Sequence, residues 1–172
     1  MRNYKDFNKW ISGEYELSRN FKLKEFNVSD QYPKLIKKTW EYHEFLSLKL
    51  LVQMILQPLR NSFGKTIILS GIRDTELNSK IGGSKDSDHL YGLAADLQVH
   101  SKDNFVVFEA MKKRIFPYRQ LIYYPKKNFI HVSINSPLKP NKNEELIYDG
   151  EGYVKFDEHK HLYIKKEGEK NG

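Results

Sequence analysis

At 172 residues the chain can bury one core without splitting into two, and with 39% hydrophobic and 13% aromatic residues it is not a disordered polymer. The absence of cysteine excludes a disulfide framework and any thiolate metal site, so a metal here needs ligands from carboxylates and the six histidines. A formal charge of +7 suits any anionic partner, but the lysines are scattered, with KK pairs at 37, 112, 126 and 165 and no basic stripe interleaved with aromatics, so a solvated surface and no nucleic-acid partner are expected.

The opening MRNYKDFNKWISGEYEL has no apolar core of signal-peptide length, and no later run approaches about 18 apolar residues. The expectation is a chain with no membrane segment, cytoplasmic at synthesis, not exported by a signal of its own, and monomeric. Residues 1–30 are expected to form an arm docked on the domain, with Phe21, Leu23 and Phe26 packed inward and Ser18 capping a turn. From Glu44, Phe45, Leu48, Leu51, Met54, Ile55 and Leu59 recur near the helical period, which predicts a helix of about four turns ending near Gly64 and kinked or shortened by Pro58.

KTIILSGIRD reads as a buried strand that ends at Ser70-Gly71 and releases Ile72, Arg73 and Asp74 into a loop. AADLQVH is a second strand, with Asp96 and Gln98 on one face and Ala95, Leu97 and Val99 on the other. After cap candidates at Ser101 to Asp103, FVVFEAMKKRI predicts a second helix stopped by Pro117. RQLIYY and NFIHVSI flank PKK as a hairpin, in which Phe129, His131 and Ser133 share one face and Ile130, Val132 and Ile134 the other. LIYDGEGYVKF predicts a last hairpin turning at Asp149-Gly150, and 157–172 is a polar tail. The whole is expected to be an α+β fold: a small single domain over 1–156, with a central antiparallel sheet and flanking helices.

In GGSKDSDHLYGLAADL, His89 and Asp96 lie seven residues apart across Gly92, whose freedom to bend can bring both side chains to one point. An imidazole and a carboxylate are two good zinc ligands, and His131, on a strand face free of aliphatics, offers a third. Two histidines and a carboxylate with a fourth position left to water is the donor set of a hydrolytic zinc site. The same spacing also fits a glycine-rich turn whose His and Asp bond the local backbone. His43 and His100 read as structural or exposed, and His159 with His161 as part of a solvated tail.

SGIRDTELNSKIGGSKDSDHLYGLAADL resembles the central block of the M15 peptidases, the zinc D-alanyl-D-alanine carboxypeptidases and related phage lysins with a hedgehog-like fold. Ser87, His89, Gly92, Ala94 and Asp96 meet that family's Ser-x-His-x-x-Gly-x-Ala-x-Asp pattern at every position. NFKLKEF is similar to the family's N-terminal segment, and QLIYY with FIHVSINSPLKPNKNEELIYDGEGYV to its metal-binding strand and the tail after it. The resemblance implies a Zn2+ cofactor held by His89, Asp96 and His131. It also implies that Arg73 steadies the scissile carbonyl and its oxyanion and that Ser87 lies near the substrate's terminal carboxylate. The implied substrate is a peptidoglycan peptide or its precursor, met in the cytoplasm or at the cell wall after release with a phage.

One position departs from the family. Its members carry an acidic residue shortly before the last His, the base that takes a proton from the attacking water. Here that place holds Tyr124, and the position three before His131 holds Asn128. Asp74 and Asp88, nearest the motif, are expected to cap turns, with Asp157 and Glu158 in the tail as other acids within the chain. Of Tyr123 and Tyr124 only one can face the site, where a phenol can hydrogen-bond a tetrahedral intermediate but is a poor base at neutral pH. The alternative to an enzyme is a zinc-containing cell-wall-binding module that has lost its base.

Overall fold

The computed structural model describes residues 12–39, 41–113, 116–137, 139 and 142–156. The chain begins with a short hairpin, β1 (Glu16–Ser18) and β2 (Phe21–Lys22), and a 3₁₀ turn over Leu23–Phe26. Phe21, Leu23 and Phe26 are buried as expected, because this arm closes one side of the core. Ser18 does not cap a turn; its hydroxyl donates to Gln57 Oε1 at 2.7 Å and ties the arm to a helix.

That helix is longer than its sequence signal. It runs as α1 (Tyr42–Leu51), a π turn (Val52–Leu56) and α2 (Gln57–Phe63), ending at Gly64 with φ 98°. Pro58 has no N–H to continue the ladder and its ring crowds the carbonyl four residues back, and the π turn just before it takes up the mismatch. The wider turn shifts the phase of the buried stripe. Val52 and Leu56 enter the core while Met54, expected inside, is 48% exposed.

Six strands form the main sheet in the order β3 (Thr66–Ser70), β4 (Ala94–Val99), β6 (Phe129–Ile134), β5 (Tyr118–Tyr124), β7 (Glu144–Tyr148), β8 (Tyr153–Lys155). The sheet is mixed rather than wholly antiparallel, since β5 and β7 pair in parallel. β6 ends beside the start of β5, where Ile134 faces Tyr118; the link after it crosses to β5's free edge and enters β7 with Glu144 beside Gln120, so β7 must run with β5. β3 is an edge strand, half buried rather than buried, with Ile67 37% exposed. The two expected hairpins, β5–β6 and β7–β8, are present.

The strand alternation sorts the sheet into two faces. Ala95, Leu97 and Val99 of β4 and Ile130, Val132 and Ile134 of β6 join the core with α1, α2 and α4 (Asn104–Lys113). Asp103 starts α4 as expected, its carboxylate accepting from Phe105 N at 2.8 Å. Asp96, His131, Ile122 and Tyr124 look the other way, over an open cavity of about 1250 Å³. Among the described residues no helix is long and apolar enough to cross a membrane.

Candidate metal centre and its cavity

β4 and β6 set Asp96 directly opposite His131. His89 arrives from a one-turn 3₁₀ helix, Asp88–Tyr91, that Ser87 caps by accepting from His89 N at 3.4 Å. The turn is folded back by Gly92, at φ 67°, where a side chain would also meet the Glu44 carbonyl at 2.7 Å. Two independent constraints therefore require glycine there. A second close approach, Gly71 against the Phe26 carbonyl, lets Ile72 N donate to that carbonyl at 2.7 Å and joins the arm to the site.

The ring of His89 donates from Nδ1 to the Gly71 carbonyl at 2.5 Å, which leaves the Nε2 lone pair free and fixes its direction. Nε2 lies 3.2 Å from His131 Nδ1 and 3.3 Å from Asp96 Oδ1, and those two are 2.8 Å apart. Ligands about 2.0–2.2 Å from a tetrahedral ion stand roughly 3.3–3.6 Å from one another, so the two separations from His89 are already near the spacing of such a site and the Asp96–His131 pair is shorter. All three residues are at most 9% exposed. Burial pushes the His89 imidazole below its ordinary pKa, keeping it neutral as a ligand must be. Burial acts to raise the Asp96 carboxyl, but the two imidazoles beside it outweigh that and hold the carboxyl well below the usual range. The donor set and its spacing fit zinc.

Arg73 is placed with the triad, though not as an open loop residue. It is 8% exposed, donating from Nη2 to Asp96 Oδ2 at 2.6 Å and from Nε to Ser70 Oγ at 2.9 Å. It thus holds one carboxylate oxygen while the histidines take the other. Asp74 caps α3 (Thr75–Lys80), accepting from Leu77 N at 2.8 Å, as the sequence suggested.

Asp88 does not cap a turn. It is 4% exposed and pairs with Arg119 at 3.0 Å and Lys139 at 2.9 Å. Burial works to raise its carboxyl, and the Lys139 and Arg119 cations beside it bring it net below its ordinary value. Arg119 and Lys139 line the same cavity and carried no signal in the sequence. Simple alternation puts Arg119 on the core side of β5; a bulge between Tyr118 and Gln120 breaks the alternation there and brings Arg119 within reach of Asp88.

Of the two tyrosines Tyr124 lines the cavity, while Tyr123 is in the core. Burial pushes the Tyr124 phenol far up, so it is no base. Asn128 turns away, accepting from the Tyr123 hydroxyl at 3.3 Å. Among the described residues the carboxylates lining the cavity besides Asp96 are Asp30, Asp86, Asp88 and Glu151. His43 and His100 are exposed and apart from the triad, and Asp157, Glu158, His159 and His161 lie outside the described residues.

No curated protein matches the chain. The family model described as Peptidase M15 matches residues 19–133, well over half of the sequence and all three candidate metal ligands. The chain belongs to the M15 peptidases, a family of metallopeptidases, and carries a buried His-Asp-His group able to hold their metal.

Proposed function

We propose that the protein is a zinc-dependent peptidase that hydrolyses D-amino-acid-containing bonds of bacterial peptidoglycan, acting on the cell wall or a wall precursor. The observation that carries this reading is the triad of His89, Asp96 and His131, with donor atoms all within 4.8 Å, opening on a 1250 Å³ cavity. Zinc held by these three residues supplies a Lewis acid and lowers the pKa of a water molecule to about 7.

The chain's own residues do the rest. The Gly71 carbonyl fixes the His89 tautomer, and Arg73 orients Asp96 while keeping a cation beside the position where a peptide oxygen gains charge. Ser87, on the cavity wall, is suited to a polar contact with the substrate's carboxylate end. Membership of the family and the site-bearing sheet support a hedgehog-type arrangement.

Digestion of purified muropeptides, read by mass spectrometry, tests the proposal. Cleavage next to a D-residue, abolished by chelation and by His131→Ala, is expected; intact muropeptides with a zinc-loaded protein overturn it. That second outcome would favour a cell-wall-binding module, whose supporting observation is that the place of the family's base holds Tyr124, a neutral phenol.

A further inference from the structure

The metal triad lies within residues 19–133, but one wall of its cavity does not. β7 and β8 come after that stretch and contribute Leu146, Tyr148, Glu151 and Tyr153 to the same cavity. The hairpin is firmly built. The Asp149 carboxylate accepts from Glu151 N and Gly152 N at 2.9 Å each, and the Tyr148 hydroxyl donates to the Gly150 carbonyl at 3.3 Å.

This wall meets Tyr124. Its ring stacks on Phe129 with centroids 4.3 Å apart and planes at 13°, contacts Tyr148 at 5.3 Å, and stands at 90° to Tyr153. Three rings therefore fix where its hydroxyl can be, and among the described residues that hydroxyl meets the Tyr153 hydroxyl at 3.1 Å. Tyr153 is 58% exposed, so water can satisfy its oxygen while its hydrogen turns inward. A hydroxyl that accepts one hydrogen bond points its own hydrogen elsewhere and donates more strongly. Tyr124 itself lines the cavity, so a hydrogen that it does not give to Tyr153 has the cavity to turn into.

We propose that Tyr153 is a positioning residue: its hydroxyl donates to Tyr124 Oη and turns the Tyr124 hydroxyl into the cavity as a neutral donor to the oxyanion of the peptide carbonyl under attack. This rests on the peptidase reading. The last hairpin thereby supplies a working part of the site, and the position that holds an acid elsewhere in the family serves here to stabilise charge rather than to take a proton.

The test compares Tyr124→Phe, Tyr153→Phe and the double variant. The readouts are kcat and KM on a muropeptide, zinc content, and affinity for a phosphinate peptide that mimics the tetrahedral anion. Tyr124→Phe is expected to lower kcat by about 10²–10³-fold and Tyr153→Phe by about threefold to tenfold, with KM and zinc content unchanged. Phosphinate affinity should fall in the same order. Because Tyr153 acts only through Tyr124, the double variant should be no slower than Tyr124→Phe. Unchanged kcat in Tyr153→Phe, additive losses in the double variant, or a rise in KM alone each overturn the proposal while leaving a cleaving wild type as a peptidase. A zinc-loaded wild type that neither cleaves muropeptides nor binds the phosphinate overturns the peptidase reading, and this inference with it.

Discussion

Asp88 is the residue whose structure says most beyond its sequence. It adjoins His89, yet its carboxylate binds Arg119 and Lys139 and so pins the ligand-bearing turn to β5 and to the segment after β6. Removing one member of a buried ionic group leaves the others uncompensated, which costs about 3–5 kcal/mol. Asp88→Asn should therefore lose about that much stability at neutral pH by urea denaturation. The folded carboxyl lies below its ordinary value, so its contribution is present above the unfolded pKa of about 3.9 and is lost as pH falls through the lowered folded value. The gap between wild type and variant should accordingly close on acidification below about pH 4; a gap that stays constant there would show that the carboxylate charge is not what the turn needs. Arg73→Ala should likewise destabilise the metal-free protein, because the largely buried Asp96 Oδ2 loses its guanidinium partner. A melting temperature unchanged by Arg73→Ala would mean that Asp96 finds another partner.

Among the elements, the strand faces were readable because a period of two leaves no choice once one face is aliphatic: Ala95, Leu97 and Val99 fix where Asp96 goes, and Ile130, Val132 and Ile134 fix His131. What was not readable were the breaks in periodicity. The bulge at Arg119 and the π turn before Pro58 each shift the pattern, which returned Met54 to solvent and gave Asp88 an arginine partner. The parallel β7 was hidden for a different reason, since pairing across a crossover depends on where the link lands and not on either strand's composition. Gly92 was legible as a bend but not as a contact, and both matter to a substitution. Gly92→Ala places a side chain at φ 67° and 2.7 Å from the Glu44 carbonyl. It should cost more than the about 1–2 kcal/mol of a left-handed residue alone and lower zinc affinity, because the turn carrying His89 must shift. Calorimetric unfolding with a competitive zinc titration checks both; a loss of stability with zinc affinity intact would separate the bend from the ligand.

At the scale of the whole molecule, the metal centre ties together pieces far apart in the chain: a one-turn helix packed against α1, two central strands, and through Gly71 the arm at Phe26. Because the donors are drawn from separate elements, an ion bound there stabilises the folded chain and has little to bind when it unfolds. With free zinc at a hundred times its Kd the linkage is worth about 2.7 kcal/mol, which for a domain of this size raises the melting temperature by about 5–11 °C. Chelator should remove that increment and added zinc restore it. His131→Ala should show a melting temperature that no longer responds to zinc, since two donors cannot close a tetrahedral site at the same free concentration. The same ion concentration tested on Tyr153→Phe should give the full wild-type shift, as that hydroxyl touches Tyr124 and none of the three donors. A zinc-dependent shift that survives loss of His131 would place the ion elsewhere in the molecule and remove the chemical basis for the cavity's proposed activity.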